Sequence, residues 1–95
     1  MLWATLRRYD GVTDPDEAAK RVRERFVPLI RDHQGFVAYY RVDAGEGVMF
    51  STSVFEDQAD EEDSNRLAAE WVKANIADLL PNPPQITAGH VVAQS

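Results

Sequence analysis

Few side chains in this sequence can move a proton or hold a reacting atom. There are two histidines, His33 and His90, three tyrosines and no cysteine. The missing cysteine removes thiolate nucleophiles, disulfides, iron–sulfur clusters and cysteine-ligated zinc together. The histidines fall on different elements, and no His-x-x-x-His or Glu-x-x-x-His spacing puts two ligands on one helix face, so no metal is expected. Glycine-rich phosphate loops are absent, as is a Ser-His-Asp order with a strand-turn-helix elbow, which leaves nucleotide-dependent and hydrolytic chemistry unsupported. His90 is the sharpest candidate. At an even position of the last apolar stretch it would point among apolar side chains, where an imidazole loses its proton more readily and becomes a neutral base. The same position suits a hydrogen-bonded core or edge histidine. His33, close to a helix C-terminus, suits a residue that offsets the helix dipole.

The elements that must position these groups are marked along the chain. Leu2 to Tyr9 alternates as a strand and is closed by Asp10-Gly11. Asp14 then offers a cap, Pro15 suits the first helical position, and Glu17 completes a capping box. Ala18, Val22, Phe26, Leu29, Ile30 and His33 share one face of a helix running from about Pro15 to His33, and Gly35 supplies a left-handed stop. Pro28 inside that helix removes a backbone donor and predicts a kink or local break between Glu24 and Pro28. Two β-rich runs, Phe36 to Val42 and Val48 to Phe55, flank the glycine-bearing connection Asp43 to Gly47 and predict an antiparallel hairpin. The acidic run Asp60-Glu61-Glu62-Asp63 reads as the solvated, dipole-favoured first turn of a second helix. The apolar stripe of that helix is Leu67, Ala68, Trp71, Val72, Asn75, Ile76 and Leu79. Pro81-Asn82-Pro83-Pro84 ends it, and Ile86 to Val92 gives a fourth strand.

The order βαββαβ predicts an α+β, ferredoxin-like plan: a four-stranded antiparallel sheet with both helices on one face. The even strand positions, among them Leu2, Ala4, Leu6, Tyr40, Phe50 and Val54, form the more uniformly apolar set and are expected to face the helices. The odd positions, with Trp3, Tyr9, Tyr39, Met49 and Phe55 beside Thr5, Arg7, Ser51 and Ser53, are too apolar for open solvent. That face is expected to be covered by a second copy of the chain.

Ninety-five residues leave room for one domain, residues 1–95, and a core this small often relies on a partner subunit. The hydrophobic fraction of 44% and charged fraction of 27% are those of an ordinary globular chain. Ten Lys and Arg against sixteen Asp and Glu give a net charge of −6, which repels a phosphate backbone, so nucleic acid is not an expected partner. The N-terminus has its basic pair after the apolar run, the reverse of a signal peptide, and no stretch approaches a membrane span. A soluble, cytoplasmic homodimer that does not engage the membrane is the expectation.

Three passages carry a family resemblance: Phe26-Val27-Pro28-Leu29-Ile30, Gly35-Phe36-Val37-Ala38-Tyr39-Tyr40, and the run from Val48 to Phe55-Glu56. The chain resembles the antibiotic biosynthesis monooxygenase-like family of the dimeric α/β barrel superfamily. In that family a helix ending in a Gly-aromatic step leads into a strand, a small hairpin, and a strand finishing near an aromatic-acidic pair. The resemblance implies a dimer of ferredoxin-like subunits with a cavity between each helical layer and its sheet. Some members oxidise phenolic polyketides with O₂ and no cofactor, others degrade haem, and many have no assigned reaction. The haem-degrading branch pairs a first-strand Asn with a helix Trp and a helix His. Trp71 is present here, but Leu2 to Tyr9 holds no Asn and the second helix no His, so haem is not expected.

The resemblance then implies a cofactor-free monooxygenase acting on a small aromatic or quinol, with neither metal, flavin nor haem. His90 would be the base, Tyr40 and Thr52 would donate hydrogen bonds to the resulting anion, and Trp71 with Phe50 would form the walls. The alternative is a non-enzymatic small-molecule-binding or interaction dimer using the same cavity. Trp71 also suits a plain core position, and Tyr40 a tyrosine whose hydroxyl reaches solvent.

Overall fold

The computed structural model describes all residues, 1–95. Its elements are β1 (Trp3–Tyr9), α1 (Pro15–Arg21), a π-helical turn (Val22–Phe26), α2 (Val27–Arg31), β2 (Phe36–Gly45), β3 (Val48–Phe55), α3 (Gln58–Asn75), a short 3₁₀ turn (Ala77–Leu79) and β4 (Gln85–His90). The strands form one antiparallel sheet in the order β2-β3-β1-β4. This is the expected ferredoxin-like arrangement, with the helices on one face.

Local chemistry accounts for the element ends. The Asp14 carboxylate accepts from the Glu17 backbone N–H, and Pro15 opens α1. Pro28 cannot donate to the turn before it, and the chain answers with the π-helical turn Val22–Phe26 immediately upstream, at the expected place of the break. Gly35, at φ +78°, turns the chain out of α2 into β2, and a Cβ there would run into the Asp60 side chain. The hairpin is tighter than the sequence suggests. β2 runs on to Gly45, and the turn is only Glu46-Gly47, with φ of 54° and 80°, the two-positive-φ geometry whose twist suits a two-residue connection. Asp57, upstream of the acidic run, caps α3 by accepting from the Asp60 N–H.

The main core joins Val22, Phe26 and Ile30 to Phe55, Ala68, Trp71 and Ile76. Phe26 lies 5.1 Å from Trp71 and 5.3 Å edge-on from Tyr39, ring centroid to centroid. Arg21 clips the helices together: it donates to Glu17 on its own helix, to the Asn75 carbonyl at the end of α3 and to the Asp78 carboxylate in the 3₁₀ turn that follows, each at 3.0 Å. Leu29, expected on the buried face of the first helix, is instead exposed.

The sheet faces are the reverse of the expectation on β1, β3 and most of β2. Thr5, Arg7 and Tyr9 on β1 and Met49, Ser51, Ser53 and Phe55 on β3 are the buried positions, beneath the helices. Leu6, Tyr40 and Val42 are exposed on the other face, with Phe50, Thr52 and Val54 half-buried there. Phe36 starts β2 on the helix side, opposite Phe55, but a bulge between Phe36 and Ala38 resets the alternation so that Tyr39 and Arg41 point inward. β4 keeps the expected sense, since Ile86, Ala88 and His90 pair with Arg7, Thr5 and Trp3 and so share the helix side. The inner face tolerates its polar residues because α3 supplies partners. The Arg7 guanidinium donates to Asn65 Oδ1 at 2.6 Å, and the Ser53 hydroxyl to Glu61 Oε1 at 2.6 Å. No helix is long and apolar enough to cross a membrane.

Candidate functional site

A cleft of about 400 Å³ opens between α3 and the β1–β4 edge, floored by Arg7 and Tyr9 and walled by Asn65, Val72, Pro84 and Ile86. Its size is that of a small-molecule site, and its make-up, mostly apolar with a few convergent polar groups, is the usual one. Behind it, sharing Arg7, Tyr9, Asn65, Ala68 and Val72 as a common wall, lies an inner chamber of about 20 Å³ that reaches Ser53, Ser64 and Trp71. That space holds about one water molecule.

Each polar side chain here is placed by its element. Arg7 projects inward from the middle of β1, nine-tenths buried, and its bond to Asn65 fixes the guanidinium against α3. Asn65 in turn donates to the Thr5 hydroxyl at 3.4 Å, so its amide orientation is set from both sides. Tyr9 lies beneath the Arg41 guanidinium, 5.0 Å from ring centroid to Cζ. Burial pushes the Tyr39 hydroxyl above its ordinary range, against the pull of the Arg41 charge, which keeps this phenol neutral.

Glu61, expected in a solvated turn, is fully buried. Its Oε1 accepts from Ser53, and its Oε2 has no hydrogen-bond partner. Burial holds this carboxyl above the usual carboxylate range, while the Ser53 hydrogen bond, the Thr5 hydroxyl and the more distant charges of Arg7 and His33 oppose that rise. Glu61, Ser64, Ala68 and Trp71 are the buried positions of α3. Their spacing of three, four and three is helical, and that stripe was the available signal for Glu61.

Of the five side chains expected to share a cavity, the structure brings only Trp71 to it. Tyr40, Phe50 and Thr52 lie on the opposite sheet face, where Tyr40 is 64% exposed, so they neither line this cleft nor donate into it. The bulge in β2 and the inverted parity of β3 displace each by one residue from an inward-facing neighbour: Tyr39, Ser51 and Ser53 occupy the expected places. His90 is on the helix side but at the outer end of an edge strand, exposed, with its ring 6.0 Å edge-on from Trp3. It is not desolvated as expected, and it lines neither the cleft nor the chamber. Sequence reasoning missed Arg7, Asn65, Ser53 and Glu61. No group of three His, Asp or Glu side chains comes together in a geometry that could hold a metal.

No protein-family model matches the chain, and no curated protein matches it. Solved structures do match. A protein of unknown function from Nitrosomonas europaea, NE2512, superposes with a TM-score of 0.80 at 23% identity, over 99% of this chain and 92% of that one. The monooxygenase ActVA-Orf6 of Streptomyces coelicolor, solved with the ligand nanaomycin D, matches with a TM-score of 0.73 at 15% identity, over 99% and 88%. A point mutant of SnoaB, a cofactor-independent oxygenase from Streptomyces nogalater, matches with a TM-score of 0.69 at 14% identity, over 99% and 94%. Further structures of this fold are proposed antibiotic biosynthesis monooxygenases. The chain therefore has the ferredoxin-like fold of the antibiotic biosynthesis monooxygenase-like proteins, as its sequence resemblance implied, and its structural neighbours are monooxygenases together with proteins of unknown function.

Proposed function

We propose that the protein is a cofactor-independent monooxygenase for a small aromatic phenol or quinol, bound in the cleft between α3 and the β1–β4 edge. The observation that carries this reading is the buried Arg7–Asn65 pair in a mostly apolar cleft of about 400 Å³, whose lining also includes Lys73. A phenol needs that combination. The apolar walls desolvate the ring, and a fixed guanidinium in a low-dielectric site favours the phenolate over the phenol. Asn65 holds the guanidinium in place, Val72 and Ile86 flank the ring, and Trp71 closes the inner end.

Once ionised, the electron-rich ring reacts with O₂ directly. One oxygen atom forms a bond to a ring carbon, and the second leaves as water with two hydrogens from the substrate. The substrate supplies all four electrons, so no external reductant is needed. Exclusion of water protects the reactive carbanion-like position from protonation. The neighbouring oxygenases of this fold support the reading.

The working unit in this proposal is a homodimer joined through the outer sheet face. Leu6, Tyr40, Val42 and Phe50 lie together there, uncovered by any helix. Tyr40, Phe50 and Thr52 would then serve the interface. The test is O₂ uptake by metal-free protein with a panel of hydroquinones. A protein that only binds shifts its melting temperature with a ligand and consumes no oxygen.

A further inference from the structure

Glu61 is the one acidic side chain fully buried in this chain, and nothing in the cleft chemistry above uses it. Burying a carboxylate is costly unless every oxygen is paired, yet Oε2 has no partner. The Ser64 hydroxyl, one turn further along α3, is committed to the Glu61 backbone carbonyl at 2.7 Å. Ser53, which lines the inner chamber, donates to Glu61 Oε1 at 2.6 Å, and the Thr5 hydroxyl on β1 also acts on this carboxyl. Ser53 thus bridges the chamber and a buried acid. The charged groups that reach Glu61 from other elements are Arg7 on β1 and His33 in the turn after α2, neither of them an acid.

We propose that Glu61, acting through Ser53, receives the proton that a phenolic substrate gives up in the cleft. This rests on the phenol reading of that cleft. The substrate O–H gives its proton to a water in the inner chamber, and that water passes a proton to Ser53 Oγ. Ser53 releases its own hydrogen to Glu61 Oε1 along the existing bond. The phenol becomes a phenolate beside Arg7, the carboxylate becomes a carboxylic acid, and no electron changes hands. Net charge within the site is conserved, so the transfer is not opposed by burial of a new charge. Glu61 does not touch the substrate; it is a positioning and proton-holding residue.

The test uses 4-nitrophenol, whose phenolate is yellow, with the intact protein, Glu61→Gln and Ser53→Ala. In the intact protein the bound probe should turn yellow without releasing a proton to the medium, whereas in Glu61→Gln each probe that ionises should release one, and in Ser53→Ala the stopped-flow rate of colour formation should fall by about a hundredfold. An infrared difference spectrum should show a carboxylic-acid band appearing on binding, and that band should be missing in Glu61→Gln. Ser53→Ala keeps the test open should Glu61→Gln fail to fold. Equal proton release and equal rates of colour formation in all three proteins overturn the relay, as does a probe that ionises with no new carboxylic-acid band or one that does not bind. Ionisation coupled to Glu61 in a protein that consumes no O₂ leaves the relay standing and defeats the oxygenase reading. O₂ uptake whose pH profile is the same in both variants as in the intact protein does the reverse.

Discussion

The Ser53 hydroxyl on β3 donates to the Glu61 carboxyl on α3 at 2.6 Å, in a part of the molecule closed to solvent on both sides of the bond. The two residues are only eight apart in sequence, but they meet because α3 folds back over the strand that precedes it. This contact makes the polar inner sheet face acceptable and helps decide which face the helices cover.

The contact carries a pH signature. Burial raises the folded-state pKa of Glu61 above its unfolded value, so the native state binds the proton more tightly than the unfolded chain does. Its contribution to stability is fully present below the ordinary glutamate pKa and is lost as pH rises through the raised folded value. Urea unfolding across a pH series should therefore show the intact protein losing stability relative to Glu61→Gln over that window, with the difference constant above it. A difference that does not vary with pH would contradict the burial of this carboxyl.

The assignment of faces predicts opposite fates for neighbours on β3. Met49 is fully buried under the helices, so Met49→Glu should prevent folding by burying an unpaired charge. Phe50 lies on the outer face, so Phe50→Glu should leave the chain folded, with normal circular dichroism, and shift a dimer to monomer in size exclusion with light scattering. Were the faces the other way round, the two outcomes would exchange.

Gly35 couples a left-handed backbone to a close approach. Gly35→Ala should cost about 1–3 kcal/mol, seen as a lower melting temperature, because φ is +78° and the new Cβ meets Asp60. Adding Asp60→Gly should restore the steric part of that loss but not the backbone part.

Side chains of the cleft and of the sheet edge should separate in kinetics. Arg7→Met should lower kcat/KM for an accepted phenol by about a hundredfold, in line with losing a buried donor that favours the anion. His90→Ala should change it by less than about twofold, since the exposed imidazole touches neither cleft nor chamber and exposed polar positions rarely carry large effects. A large loss in His90→Ala with the fold intact would show that the assembled protein brings this residue to the substrate.

Much of the fold was legible from local signals, since Asp14-Pro15, Pro28 and Gly35 each mark a boundary or break that depends only on backbone chemistry. The faces were not. On β1 the even set of Leu2, Ala4 and Leu6 is more apolar than Thr5 and Arg7, and apolar residues are normally inside. Here the polar residues go inside because Asn65 and Glu61 wait for them on α3, sixty residues further along in the case of Thr5 and Asn65. Pairings of that range leave no trace in strand periodicity. Tyr39 rather than Tyr40 faces inward for a related reason: the bulge after Phe36 reverses the alternation, and strand periodicity gives no sign of it. Of the expected cavity residues Trp71 alone lines the inner chamber, because helix spacing survives such shifts.

Oxygenation without a cofactor in the α3 cleft is tested most directly by turnover of an accepted hydroquinone under oxygen-18 gas with metal-stripped, flavin-free protein. The expected product carries one labelled oxygen atom, forms with equimolar O₂ consumption and is largely lost in Arg7→Met. A bound but unchanged hydroquinone, or a product whose oxygen comes from water, would contradict it.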